Sequence, residues 1–149
     1  MQNPSFPGFD NTEQTCVWTI KKCADNICFL RLDYDVFALD GPDITGQASC
    51  LNDIWSFDDE SPQTIAPVCG GGDGFHMYMR FGDPSDSQDI TITGRTAGST
   101  FSNRRWDVVL RQIPCGANYA PPVDCYQYLT GVSGQVRSFN YIPPNGEVY

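Results

Sequence analysis

Between Cys28 and Val36 the chain alternates strictly, with Leu30, Leu32, Tyr34 and Val36 on one side and Arg31, Asp33 and Asp35 on the other. A period of two is the signature of a half-buried strand, because successive side chains leave opposite faces of a sheet. The same period returns in Trp18 and Ile20, in Phe75, Met77, Met79 and Phe81, in Ile90 and Ile92, and in Trp106, Val108 and Leu110. A further short segment, residues 52–57, carries Ile54 and Trp55. Turn-forming stretches separate these runs: Gly70-Gly71-Gly72-Asp73-Gly74, Gly82-Asp83-Pro84-Ser85-Asp86 and Ala97-Gly98-Ser99. No helical stripe survives between the breaks. Seven or eight short strands joined by turns predict an all-β, antiparallel β-sandwich.

Seven cysteines constrain the same fold from another side: Cys16, Cys23, Cys28, Cys50, Cys69, Cys115 and Cys125. None forms a CxxC pair, and His76 is the sole histidine, so a structural zinc site lacks ligands at the required spacing. Wide, irregular spacing in a turn-rich chain points instead to disulfides made in an oxidising compartment, hence to an extracellular, secreted protein. Cys23 and Cys28 flank the turn Ala24-Asp25-Asn26 and could bridge the ends of one hairpin. An odd count leaves at least one thiol free or joined elsewhere.

Charge removes several function classes. With 18 acidic and 9 basic residues the net charge is −9, a surface that repels phosphate backbones, so no nucleic acid is expected as partner. No apolar run approaches the roughly 20 residues of a membrane span. The opening Met1-Gln2-Asn3-Pro4-Ser5 lacks the basic start and apolar stretch of a signal peptide. After Cys115 the texture changes. Residues 116–124, with Pro121-Pro122, look like a linker. Residues 125–149 hold two strand-like pieces, near 125–129 and 135–141, and are too few to build a core alone. They either add strands to the body at 1–115 or begin a second module.

The order of motifs resembles the CUB domain. Asn3-Pro4-Ser5-Phe6-Pro7-Gly8-Phe9 leads into Cys16-Val17-Trp18-Thr19-Ile20; Leu30 to Asp40, Cys50-Leu51-Asn52-Asp53, Cys69-Gly70 and Arg105-Trp106-Asp107-Val108 come after it in sequence. The resemblance covers residues 3 to about 115 and is closest to an arthropod-type variant in which Gln112-Ile113-Pro114-Cys115 closes the domain. There a proline-containing linker leads to a related module opening as Cys125-Tyr126-Gln127-Tyr128 does, with Ser138-Phe139-Asn140-Tyr141 after it. The resemblance implies an extracellular, jelly-roll-like β-sandwich that binds other proteins or glycans and performs no catalysis. It also implies a Cys50–Cys69 disulfide, with Cys16 pairing upstream of residue 1 and Cys125 beyond Tyr149, as in a piece of a longer protein. A Cys16–Cys115 link within the chain is the competing arrangement.

Many members of that family hold calcium on three acids at one end of the sandwich, since the ion takes 6–8 oxygens in loose geometry. Asp40 and Asp53 occupy the first two positions here, but Arg95, Thr96 and Ala97 stand where the third acid belongs, and the loop from Asp40 to Cys50 is long. Two acids alone make a weak site. Asp58-Asp59-Glu60 and the set Asp83, Asp86 and Asp89 read as solvated loop acids, because neither has the spacing of a calcium loop. Hydrolase chemistry would have to use His76, set in a strand between Phe75 and Met77, with no nucleophile motif in the chain. The triple glycine precedes no helix and is a turn, not a phosphate cradle.

Sugar rings stack on aromatic faces, which makes Trp55, Phe57, Tyr78 and Tyr126 the binding candidates, with ordinary core packing as the simpler role. No Asn-x-Ser/Thr sequon occurs except Asn3-Pro4-Ser5, which proline disables. The expected function is a non-catalytic extracellular interaction module. The rivals are an assembly subunit forming a homo-oligomer through edge strands and unpaired cysteines, and a regulatory arm of a secreted protease.

Overall fold

The computed structural model describes residues 1–43, 49–59, 64–82, 89–98 and 101–138. Six strands form two antiparallel three-stranded sheets: β1 (Gln14–Ile20), β2 (Ile27–Ala38), β3 (Ile54–Asp58), β4 (His76–Arg80), β5 (Ile90–Thr96) and β6 (Arg105–Pro114). One sheet runs β1-β5-β3, the other β4-β2-β6. The protein is a disulfide-stabilised β-sandwich. Among the described residues there are six strands against the expected seven or eight; residues 125–129 are not a strand, and 139–141 lie outside the described residues.

The alternating residues face inward and fill the space between the sheets. Leu30, Leu32 and Tyr34 of β2, Met77 and Met79 of β4, and Trp106 and Val108 of β6 meet Trp55 and Phe57 of β3 and Ile90 and Ile92 of β5. Burying each such side chain stabilises the fold by about 1.5–3 kcal/mol. Val36 departs from the expected pattern. A bulge between Tyr34 and Val36 shifts the β2–β6 register by one residue, so Phe37 is fully buried and Val36 is only half-buried. Trp55 sits at the centre, 5.0 Å from the Trp18 ring, 5.1 Å from Phe37 and 5.9 Å from Trp106. Gly94 on β5 makes room for it, because a Cβ there would come within 2.8 Å of the Trp55 Nε1.

Two disulfides close the sandwich. Cys50 joins Cys69, as the resemblance implies, tying two loops together beside Asp40, whose carbonyl accepts from Gly70 N–H. The hairpin pairing of Cys23 with Cys28 does not form. Cys28 joins Cys115 instead, across a sequence separation of 87 residues. The reason is register: β2 begins where β6 ends, Ile27 stands opposite Pro114, and Cys115 N–H donates to the Asn26 carbonyl. Cys16 therefore does not pair with Cys115; Cys16, Cys23 and Cys125 are free thiols, the last two exposed.

Among the described residues, three of the four sheet edges are covered. The Met1 and Asn3 backbones run along β6, bonding Val108 and Trp106, and the Asn3 side chain accepts from Trp106 N–H. Val68 exchanges both backbone bonds with Trp55 on β3. On β4, Tyr78 N–H donates to the Tyr126 carbonyl, His76 C=O accepts from Gln127 Nε2, and Arg80 N–H donates to an Asp59 carboxylate oxygen. Asp59 is thus an edge cap and not a free loop acid. Such covering blunts the tendency of an open edge to recruit other strands.

Candidate functional site

Asp40 and Asp53 meet at one end of the sandwich, where β2 ends and β3 begins: Asp40 N–H donates to Asp53 Oδ2 at 2.8 Å, and Asn52 Nδ2 donates to Asp40 Oδ2 at 2.8 Å. A guanidinium, however, already holds Asp53. Arg104 Nε lies 2.7 Å from Asp53 Oδ2, both side chains almost wholly buried, while Ala97 N–H reaches Asp53 Oδ1 at 3.3 Å. Arg104 also donates through Nη2 to the Ala97 carbonyl at 3.1 Å. A buried carboxylate demands a compensating cation and donors on its lone pairs, and Arg104 supplies the cation from within the chain. Asp53, one of the two expected calcium ligands, is thus one half of a buried ion pair. Among the described residues no group of three or more His, Cys, Asp or Glu side chains could hold a metal.

Three of the four aromatic candidates are not surface platforms. Trp55 and Phe57 sit on the inner face of β3, buried in the core, since they share the strand's apolar phase. Tyr78 points to the outer face of β4 but is buried at 4% exposure beneath the segment after Cys115. Tyr126 is half-buried against the core cluster, and its carbonyl caps β4. His76, also on the outer face, is covered the same way: its Nε2 lies 3.1 Å from the Tyr128 carbonyl and 3.3 Å from Tyr128 N. Burial first, and then the Arg31 charge, lower its pKa below the ordinary 6.5.

The outer face of the β4-β2-β6 sheet brings together residues that no local motif connects. Tyr78, Arg31 and Arg111 stand in one row across three strands, because Arg31 is opposite Tyr78 in one pairing and opposite Arg111 in the other. Two arginines side by side repel, and Asp33 relieves the repulsion from two residues along β2. Its Oδ1 accepts from Arg31 Nε at 2.8 Å and Nη2 at 2.7 Å, and its Oδ2 pairs with Arg111 Nη1. Arg31 Nη1 donates to the Tyr78 hydroxyl at 2.8 Å, with the guanidinium 5.4 Å from that ring's centre. Burial opposes the Arg31 charge, but the Asp33 carboxylate outweighs it and raises the guanidinium pKa above its usual value.

Two guanidiniums on one carboxylate leave one positive charge in excess at this row, although Asp35 lies further along the same side of β2. The segment after β6 roofs it: Tyr119 and Thr130 join Arg31, Tyr78, Arg111 and Gln112 around a cleft of about 390 Å³. Tyr119 is 54% exposed and Arg111 presents most of its side chain to solvent. The outward phase of Arg31 is legible in the alternation of β2; Arg111 as its neighbour and Tyr119 as its cover are not, because strand register and the path of the linker decide both. The chain matches no protein-family model and no curated protein.

Proposed function

We propose that the chain is a non-catalytic extracellular interaction module of the CUB kind, working through the outer face of its β4-β2-β6 sheet. The observation that carries this reading is the cleft over the Tyr78, Arg31 and Arg111 row, a preformed site on a rigid sheet that mixes polar groups with the apolar surface of Ile113 and the tyrosine rings. Its size is that of a small group, not a folded partner, so larger partners engage it through one protruding residue. The two disulfides are compatible with an extracellular protein. Among the described residues no helix is long and apolar enough to cross a membrane. Two side chains that could do chemistry are engaged in structural contacts: the His76 ring nitrogen faces the Tyr128 backbone, and Asp53 faces Arg104. The test is to assay the purified chain against peptide, ester and glycoside substrates. No turnover is expected, and hydrolysis that copurifies with the chain contradicts the reading.

The assembly reading is favoured by one observation. β1 is an outer strand of its sheet, Gln14–Ile20 carries no charge and no proline, and Val17 is 60% exposed. An open, uncharged edge of this kind pairs readily with a strand of another chain. Sedimentation across a concentration series separates the two readings. A dimer that Val17→Lys abolishes supports assembly, and a monomer throughout supports the binding module.

A further inference from the structure

We infer that the cleft on the β4-β2-β6 face binds a singly charged acidic sugar, a pyranose ring carrying one carboxylate; this rests on the binding-module reading and names its ligand. Arg111 uses Nη1 on Asp33, and among the described residues its Nε and Nη2 have no partner. Those two N–H directions form the fork that matches a carboxylate in bidentate fashion. Arg31 has all three of its nitrogens engaged by Asp33 and Tyr78, so it supplies field and rigidity, not contact. Tyr119 offers a half-exposed ring beside the guanidinium, and the C–H face of a sugar packs on such a ring. Thr130 lines the same cleft with a hydroxyl, which both donates and accepts and so suits a sugar hydroxyl, while the Gln112 amide is held by Cys23 N–H and the Lys21 carbonyl.

Size and charge narrow the ligand further. About 390 Å³ lies at the small end of ligand sites and admits one ring with its substituents. A net charge of −9 opposes approach of a polyanion, whereas a single charge is drawn to a local excess of one guanidinium. A neutral sugar would leave the Arg111 fork unpaired, and a bare carboxylate would leave Tyr119 and Thr130 unused.

The experiment observes the full chain by NMR with three probes: 3′-sialyllactose, lactose and sodium acetate. Sialyllactose is expected to bind, with lactose and acetate at least about tenfold weaker, as the loss of one charge-assisted contact or of the ring contact implies. Arg111→Gln and Tyr119→Ala should each weaken sialyllactose by about tenfold without moving the thermal midpoint, since both side chains are exposed. Equal affinity for lactose, equal affinity for acetate, or affinity unchanged in both variants would overturn the inference. No binding of any probe also overturns it and leaves the module reading standing. Cleavage of the sialyl bond by the chain would overturn that reading itself.

Discussion

Asp53 and Arg104 are the residues on which the end of the sandwich depends. Their side chains are almost fully buried, 2.7 Å apart, and they tie the start of β3 to the segments flanking β5 and β6. Removing one partner leaves a charge in the interior with nothing to balance it. Asp53→Asn or Arg104→Met should therefore lower unfolding stability by about 3–5 kcal/mol, read as a shift of the denaturant midpoint. Since a guanidinium fills the cation's role, a chelator should leave the thermal midpoint where calcium leaves it, and a calcium-dependent rise would contradict the assignment. The nearness of Asp40 and Asp53 is what the CUB resemblance implies, and no periodicity of the chain shows it. Arg104 is not legible in the chain, being one of two adjacent arginines 51 residues from its partner, and only the sandwich decides which of the two turns inward.

At the scale of elements, the strands are legible because the two faces of each sheet differ chemically. Leu30, Leu32, Met77, Met79, Trp106 and Val108 fall on the inner face, as their period of two predicts. The same logic argues against Trp55 and Phe57 as sugar platforms, since both keep the apolar phase of β3. The tail is not legible. Residues 126–128 of the tail are held by contacts with the edge and outer face of β4, through Tyr78 and His76, and no periodicity announces that. This packing makes the tail sensitive to pH. Burial and Arg31 hold the His76 pKa below 6.5 in the folded chain, with Asp33 acting in the opposite sense, so the neutral ring is the folded form. Its stabilising effect is complete above pH of about 6.5 and is lost as the pH falls through the lowered value. Proteolysis within residues 116–138 should accelerate as the pH falls below about 6.5 in the native chain. His76→Gln, which keeps a hydrogen-bonding end without a titrating ring, should flatten that profile.

For the whole molecule, the Cys28–Cys115 bond is the larger constraint. It joins the start of β2 to the end of β6, and a loop of that length restricts the unfolded chain by about 4–5 kcal/mol against about 3 for Cys50–Cys69. Spacing alone favours the hairpin partner Cys23, because local distance is what a sequence displays, whereas the β2–β6 register is a property of the folded sheet. The same register sets Arg31 beside Arg111 and so creates the cleft, which makes the bond and the binding face two results of one pairing. Peptide mapping of the natively produced protein without reduction tests this account most directly. It should find Cys28 linked to Cys115 and Cys50 linked to Cys69. A Cys23–Cys28 peptide, or four reduced thiols at the positions expected to pair, would contradict both the sandwich register and the extracellular module built on it.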